Sequence, residues 1–556
     1  MKQSLLLPKW RTGLLGLLAL LTLNALLSMT NWWPTPFVKL EARIAPEFVL
    51  LWCVLLGQAF FKRGAFPGLS SRALWVLSLI YFVLVLGRYF DTTAPALFGR
   101  AINLYWDGLQ VPRLAWVLFR KQPLWVSVLI CFAFFIMLLA LWKTIRWSIQ
   151  SLALIAAPYA IGRPWAMIVT GFLLVSAIGN YLGVSATWPY ISRPVIPTYW
   201  GQGKVFLAAL GETRGESSLP NSPAFTSDLG QLKGADFRIV FLESYGAVSF
   251  DKQAILEHLK PEYDALQAQL KSSGQLVVSA FVTSTTFGGG TDLAHMAFLT
   301  GIDTRDPTRH DILLTTRRPT LVSHFKSRGF ETFGFYPGLF WEWHESVFFG
   351  FEHLVDGPSL NYPGPHIGYW KIPDQYAAAR FLELYPVTSA SRPRFEFFAS
   401  STSHFPFHPV PPYQEDWQRV LSREPFDPLV VQRLQASNTD WLNMVPAYAG
   451  MMRYNLQWLR GYLSQRHARD FVILVLGDHQ PASNVTGEGA TWDVPVHLIT
   501  SRPELAERFR TLGFSSGFQP NRKPIASLPE LTTLLLDALD SKPLSAPKQS
   551  VSRASP

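Results

Sequence analysis

The chain is short of cysteine and of charge. It has two cysteines in 556 residues, Cys53 and Cys131, and both stand inside apolar runs. That excludes a disulfide framework, a cysteine-based zinc site and a cysteine nucleophile in the remainder of the chain. Charged residues make up 16% of the sequence. The shortage is concentrated in the first third, which is apolar and rich in Leu, Trp and Phe. Acidic residues are the scarcer sign, 39 against 49 Lys and Arg, for a formal net charge of +10. The basic residues form no stripe, and many border apolar segments, where cations set membrane topology and attract anionic lipid head groups. Nucleic-acid binding is therefore not expected. No Asp, Glu, Lys or Arg stands deep in an apolar run, which argues against a transporter or ion pump. The polar exceptions Asn24, Gln58 and Asn180 read as helix-packing contacts.

What is present in the first third is a series of apolar runs. A membrane span needs about 20 mostly apolar residues, and the runs 14–33, 48–61, 73–90, 124–142 and 166–182 predict five spans. The first is too long for a cleaved signal peptide and lacks a small-residue cleavage site. Lys and Arg are denser in the loops holding Lys2, Lys9 and Arg11, then Lys62, Arg63 and Arg72, then Lys143, Arg146 and Arg163 than in those holding Lys39 and Arg43, then Arg88, Arg100, Arg113, Arg120 and Lys121 over a much longer loop. The denser set is assigned to the cytoplasm, which puts everything after about residue 183 outside.

Residues 187–234 are rich in Pro, Ser and Gly and read as a linker. Beyond them strand and helix signals alternate. The strand FRIVFL at 237–242 is a continuous apolar run, as expected of a strand buried on both faces. Further strands are expected at 276–282, 332–336, 397–400, 471–476 and 494–499. This order predicts an α/β domain with a mostly parallel sheet covered by helices. Residues 541–556 are polar and rich in Pro and Ser, and read as a disordered tail.

Ligands of open α/β sheets sit beyond the carboxyl ends of the strands, so the residues following each strand matter most. Glu243 follows the first strand, in FLESYG. Asp478 and His479 follow a late one, in GDHQP. Two carboxylates and an imidazole suit a divalent cation such as Zn²⁺ or Mn²⁺, although each motif alone reads equally well as a turn cap or loop acid. Between them Phe287-Gly288-Gly289-Gly290-Thr291 leads into the apolar run LAHMAFL. The glycines let the backbone approach a ligand, and Thr291 falls at a helix start, where N–H groups favour an anion. It reads as a nucleophile, against the plainer reading of an N-cap. His404, in STSHFPFH, stands at a strand end, where it could donate a proton to a leaving oxygen or hold a phosphoryl oxygen. The plainer reading is a loop histidine. His408, four places on, is weaker still.

Together the set LES, FGGGT, TSHFPF and GDHQP resembles the sulfatase-like and alkaline-phosphatase-like superfamily, in its lipoteichoic acid synthase and phosphoethanolamine transferase branch. The resemblance implies a transmembrane domain at 1–186, the linker at 187–234, an extracytoplasmic catalytic domain at 235–540 and the tail at 541–556. It implies that Glu243, Thr291, Asp478 and His479 hold one divalent ion, Mn²⁺ or Zn²⁺ with Mg²⁺ as a third option. It gives His404 a substrate contact, and makes GLFWEWHE at 338–345 a substrate loop with Trp341 and His344 lining the site. Two features depart from the branch. Trp343 stands where lipoteichoic acid synthases carry an arginine, and the exported cysteines usual in phosphoethanolamine transferases are missing. The implied activity moves a phosphoethanolamine or phosphoglycerol group from a phospholipid to an extracytoplasmic glycan, lipid or polymer through a phospho-threonine. The implied location is a bacterial-type inner membrane, multi-pass, with the catalytic domain on the periplasmic or extracellular side. A membrane-bound phosphodiesterase or phosphatase shares the first step and is the second reading; an inactive membrane scaffold is the third.

Overall fold

The computed structural model describes residues 9–61, 69–98, 123–162, 164–181, 190–210, 219–340, 343–388, 391–465 and 468–544, with ten further residues between 101 and 119. The chain divides into two compact units, 1–212 and 213–556.

The first unit is helical: α1 (Lys9–Ser28), α2 (Pro46–Phe61), α3 (Ser71–Phe98), α4 (Leu124–Gly162), α5 (Pro164–Tyr181) and α6 (Ile196–Leu210). Among the described residues two helices are long and apolar enough to cross a membrane, Ser71–Phe98 and Leu124–Ala156, where five spans were expected. The apolar stretches of α1 and α2 are shorter. The differences have local causes. The first run stops being helix at Ser28, because Thr30–Asn31 pairs with Val38–Lys39 and the Asn31 amide donates to the carbonyls of Thr35 and Phe37. The fourth run does not end at Trp142. Helix α4 continues for 39 residues, so Lys143 and Arg146 lie on a helix rather than in a loop. Arg88, expected in an outer loop, is buried within α3, where its guanidinium donates to the carbonyls of Met29 and Arg193 and pairs with Asp91. Asn24 ties α1 to the turn before α2, donating to the Arg43 carbonyl and accepting from the Ala45 amide. The stretch read as a linker carries α6, and from Leu219 onward it packs into the core of the second unit.

The second unit is built on a nine-stranded sheet. In chain order its strands are β1 (Asp236–Leu242), β2 (Leu276–Thr283), β3 (Glu331–Tyr336), β4 (His353–Asp356), β5 (Arg394–Ala399), β6 (Phe471–Gly477), β7 (Asp493–Thr500), β8 (Ser515–Ser516) and β9 (Ala526–Ser527). Across the sheet they run β8-β2-β7-β6-β1-β5-β3-β4, with β9 beside β2. The sheet is mixed: β7 lies antiparallel to both β2 and β6. Between Gly477 and Asp493 the chain holds only the four-residue helix Ser483–Thr486, and without a crossover helix the next strand must run back. Helices α7 (Gln253–Ser272), α9 (Asp374–Leu384) and α10 (Val445–Ser464) cover one face. Helices α8 (Thr291–Thr300) and α11 (Leu528–Leu539) cover the other. With apolar layers on both sides, β1 and β6 are buried at every position, which explains their unbroken apolar sequence.

Three adjacent parallel strands, β6, β1 and β5, position the site. The register pairs Leu242 with Gly477 and Phe241 with Ala399, so the chain leaves all three at one level. Gly477 is required there: a Cβ would lie 1.8 Å from the Tyr245 carbonyl oxygen. Behind this edge, His497 of β7 bonds the Ser279 hydroxyl at 2.6 Å and the Tyr245 hydroxyl at 3.0 Å, and burial pushes its pKa down to about 3. The unfolded chain takes up this proton near pH 6.5 and the folded chain does not until about pH 3. Stability is therefore expected to fall as pH drops from about 6.5 towards 3, by up to about 1.4 kcal/mol per pH unit from this group. Urea unfolding of the full chain at pH 7 and pH 5 should show a steeper loss in the wild type than in His497→Gln.

Candidate active site

Glu243 is the first residue past β1, and Asp478 the first past β6. Ser244 turns the chain with φ of 59°. Its amide donates to Asp478 Oδ1 at 2.8 Å, as does the amide of His479 at 2.8 Å. The other oxygen, Asp478 Oδ2, is buried and has no hydrogen-bond partner. It faces His479 Nε2 at 3.3 Å, and Glu243 Oε1 faces the same nitrogen at 3.4 Å. His479 Nδ1 lies 2.8 Å from the Gln480 carbonyl oxygen, which only accepts, so Nδ1 carries a proton and Nε2 is directed at two carboxylates.

Burial, then the neighbouring Glu243 charge, push the Asp478 carboxyl up to about 6. For His479 burial acts downward, and the Asp478 and Glu243 carboxylates outweigh it, raising its pKa above the ordinary value. Two buried carboxylates this close are unfavourable unless a cation, the imidazolium or a metal ion, lies among them. Glu243, Asp478 and His479 offer ligand atoms within 4.8 Å of one another. The orphaned Asp478 Oδ2 and this hard-oxygen and imidazole donor set both fit a divalent ion.

Gly288, Gly289 and Gly290 have φ of 66°, 141° and 80°, which side chains rarely adopt. Gly290 caps α8, and Thr291 is the helix's first residue. The Thr291 hydroxyl does not cap its own helix. It donates to Glu243 Oε2 at 3.1 Å and lies 3.4 Å from His479 Nε2. Glu243, Thr291, Asp478 and His479 are thus brought together from three separate segments.

His404 sits on the loop after β5. Its ring stacks on Tyr369 at 4.5 Å and meets Trp370 edge-on at 5.6 Å. Burial pushes its pKa down to about 4, so it is neutral at pH 7. Nδ1 lies 2.7 Å from the Phe405 carbonyl oxygen, so it holds the proton and Nε2 is left as an acceptor. In this state Nε2 is the nitrogen left for a partner in the site. His408 is not part of the cluster's bonding; its Nε2 lies 2.9 Å from the Ser437 hydroxyl. His344 is exposed at the start of the helix His344–Phe349. Trp341 lies outside the described residues. Trp343, in the place of the branch's arginine, is buried against Tyr336, Phe349 and Phe351.

Several supporting residues carried little or no sequence signal. Asp374, at the start of α9, accepts from the Ser401 amide at 3.0 Å and the Thr402 amide at 2.9 Å, fixing the loop that carries His404. Ser403 donates to the Glu243 carbonyl at 2.7 Å and accepts from the Asn455 amide at 2.8 Å. His295, one turn after Thr291, is buried between Phe241 and Phe397 with its pKa pushed down to about 4 by burial. Its place four residues past the threonine was the one available hint.

Residues 239–504 match the family model described as Sulfatase. No curated protein matches the chain. Among solved structures, it is similar to the lipoteichoic acid synthase LtaP from Listeria monocytogenes, with 15% identity over 50% of this chain and 68% of that one and a TM-score of 0.34. It is similar to the Streptococcus pyogenes phosphoglycerol transferase GacH in complex with sn-glycerol-1-phosphate, with 12% identity over 61% and 79% and a TM-score of 0.35. It is also similar to the periplasmic domain of phosphoethanolamine transferase EptC from Campylobacter jejuni, with 12% identity over 56% and 96% and a TM-score of 0.35.

The donor set makes a direct prediction. Asp478→Asn should weaken binding of Mn²⁺ and Zn²⁺ to the full chain by about 100-fold or more, read by titration calorimetry with metal content measured in parallel, while the unfolding midpoint of the metal-free protein stays near the wild-type value.

Proposed function

We propose, on the match of residues 239–504 to the family model described as Sulfatase, that the chain is a membrane-held transferase with Thr291 as its nucleophile. It moves a phospho-head-group, phosphoethanolamine or phosphoglycerol, from a phospholipid to an extracytoplasmic glycan, lipid or polymer. The observation that carries this reading is the hydroxyl of Thr291, which turns away from its own helix to lie 3.1 Å from Glu243 Oε2.

Glu243, Thr291, Asp478 and His479 would hold the divalent ion, Mn²⁺, Zn²⁺ or Mg²⁺, which when bound lowers the proton affinity of the hydroxyl and offsets phosphoryl charge. In the first half-reaction the Oγ–P bond of Thr291 forms and the bond from phosphorus to the glycerol oxygen breaks. The Thr291 proton passes to Glu243 Oε2, 3.1 Å away, and from there to the departing glycerol oxygen, so that the lipid leaves as diacylglycerol. The positive end of α8, at Thr291, favours the charge on the transferring oxygens. In the second half-reaction an acceptor hydroxyl attacks the phospho-threonine, its proton passes to Nε2 of His404, the Oγ–P bond breaks, and a proton returns through solvent and Glu243 to Thr291 Oγ. The apolar helices Ser71–Phe98 and Leu124–Ala156 supply the hold on the membrane, with the catalytic domain on the periplasmic or extracellular side. The buried Trp343 leaves no arginine in the position where the lipoteichoic acid branch carries one, so the choice of head group rests with other residues.

Intact mass of the full chain, incubated with phospholipid vesicles and Mn²⁺ or Zn²⁺, tests the covalent step. A phospho-linked adduct on Thr291, absent from Thr291→Ala, is expected, and its mass names the head group. Release of the free phospho-head-group to water with no acceptor-dependent product would favour the phosphodiesterase reading instead.

A further inference from the structure

Beside the His404 loop the second unit carries apolar side chains that no core claims. The helix Pro428–Ala436 buries none of its residues. Leu429 is 66% exposed, Trp441 62% and Leu442 90%. Trp441 packs on Phe405, ring centroids 5.9 Å apart, and Phe405 is the residue next to His404. The segment is locally well formed. Asp427 accepts from the Leu429 amide at 2.7 Å, and Asp440 accepts from the amides of Leu442 and Asn443 at 3.0 and 3.1 Å. It is held to the body by polar contacts, His408 to Ser437 at 2.9 Å and Gln435 to the His366 carbonyl at 3.3 Å. Arg433 folds back onto the first turn, its Nε 3.3 Å from the Leu429 carbonyl, which sets a cation beside the apolar tip.

We propose that this segment, 428–443, is a lipid-surface contact: Trp441, Leu442 and Leu429 enter the interfacial layer of a bilayer and bring the mouth of the site to the head groups. The inference rests on the reading of the chain as a membrane-held enzyme. The two apolar helices keep a bilayer within the chain's reach at all times. Trp is the side chain most suited to the interface, with an apolar body and one N–H donor, and Leu supplies buried area. An arginine at the rim suits lipid phosphate. A second copy of the chain is a poor occupant, because these few side chains fall short of the roughly 800 Å² per partner of a stable protein interface. A sugar would use the Trp441 ring but not Leu442 and Leu429.

The test uses the full chain in proteoliposomes. Leu442→Cys, in a background of Cys53→Ala and Cys131→Ala, is labelled with an environment-sensitive fluorophore, and nitroxide-bearing phospholipid is added to the bilayer. Strong quenching at position 442, with little at a label placed on Glu507→Cys of the helix Pro503–Thr511, is the expected result. In the same liposomes, Trp441→Ser with Leu442→Ser should raise the KM for a lipid donor about ten-fold and leave turnover of a soluble phosphodiester unchanged. Equal, weak quenching at both positions overturns the proposal, as does quenching at 442 only by labelled protein of a second copy. Quenching at 442 in a chain that turns over no lipid donor sustains the surface contact and removes the transferase reading.

Discussion

Glu243 and Asp478 are buried carboxylates that face the same imidazole nitrogen, 3.4 and 3.3 Å away. Burial and like charge both oppose ionisation of such a pair. The surrounding structure reads as the means of holding it. Two backbone amides converge on Asp478 Oδ1, Ser244 donates to Glu243 Oε1 at 3.0 Å, and the Gln480 carbonyl fixes the imidazole tautomer. One oxygen, Asp478 Oδ2, is left for something else. The set is organised for a cation, and the Thr291 hydroxyl shares its inner face.

Rigidity comes from the sheet. Three parallel strands in register deliver their ends to one level, and the close pass of Gly477 against the Tyr245 carbonyl leaves no room for adjustment. The loops beyond are pinned by side chains from other elements, Asp374 and Asn455 among them. The proposed phosphoryl transfer would need such support, since catalysis of that kind depends on position and electrostatics more than on covalent chemistry by many groups. Neutral His404 extends the same logic: aromatic stacking holds its ring, and the Phe405 carbonyl decides which nitrogen accepts.

Strand-end motifs were the most legible part of the sequence. Glu243, Thr291, Asp478 and His479 stood out because a strand buried on both faces has an unmistakable apolar run, and polar residues just past it are conspicuous. The antiparallel β7 was not legible, because strand direction depends on how the chain crosses the sheet rather than on local pattern. Asp374 and His295 were hidden for a related reason: each looks ordinary in its own segment and matters through contacts made across the fold. The membrane segments were legible only in part. Hydropathy finds apolar runs, but where a helix stops depends on hydrogen bonds such as those of Asn31, and Arg88 is admitted into a helix by carbonyls of Met29 and Arg193 that no local pattern announces.

By itself the sequence determined the division between an apolar first part and an α/β second part, the strands with their ends, and the chemistry available at those ends. These follow from side-chain polarity and period, which are local properties. Only the tertiary structure decided that the Thr291 hydroxyl faces a carboxylate instead of capping its helix, that His404 stacks on Tyr369 with Nδ1 bonded to the Phe405 carbonyl, and that Trp343 is core while Trp441 is surface. Each of these depends on which groups from distant segments surround a side chain and how far they exclude water, and that is set when the sheet and its helices pack.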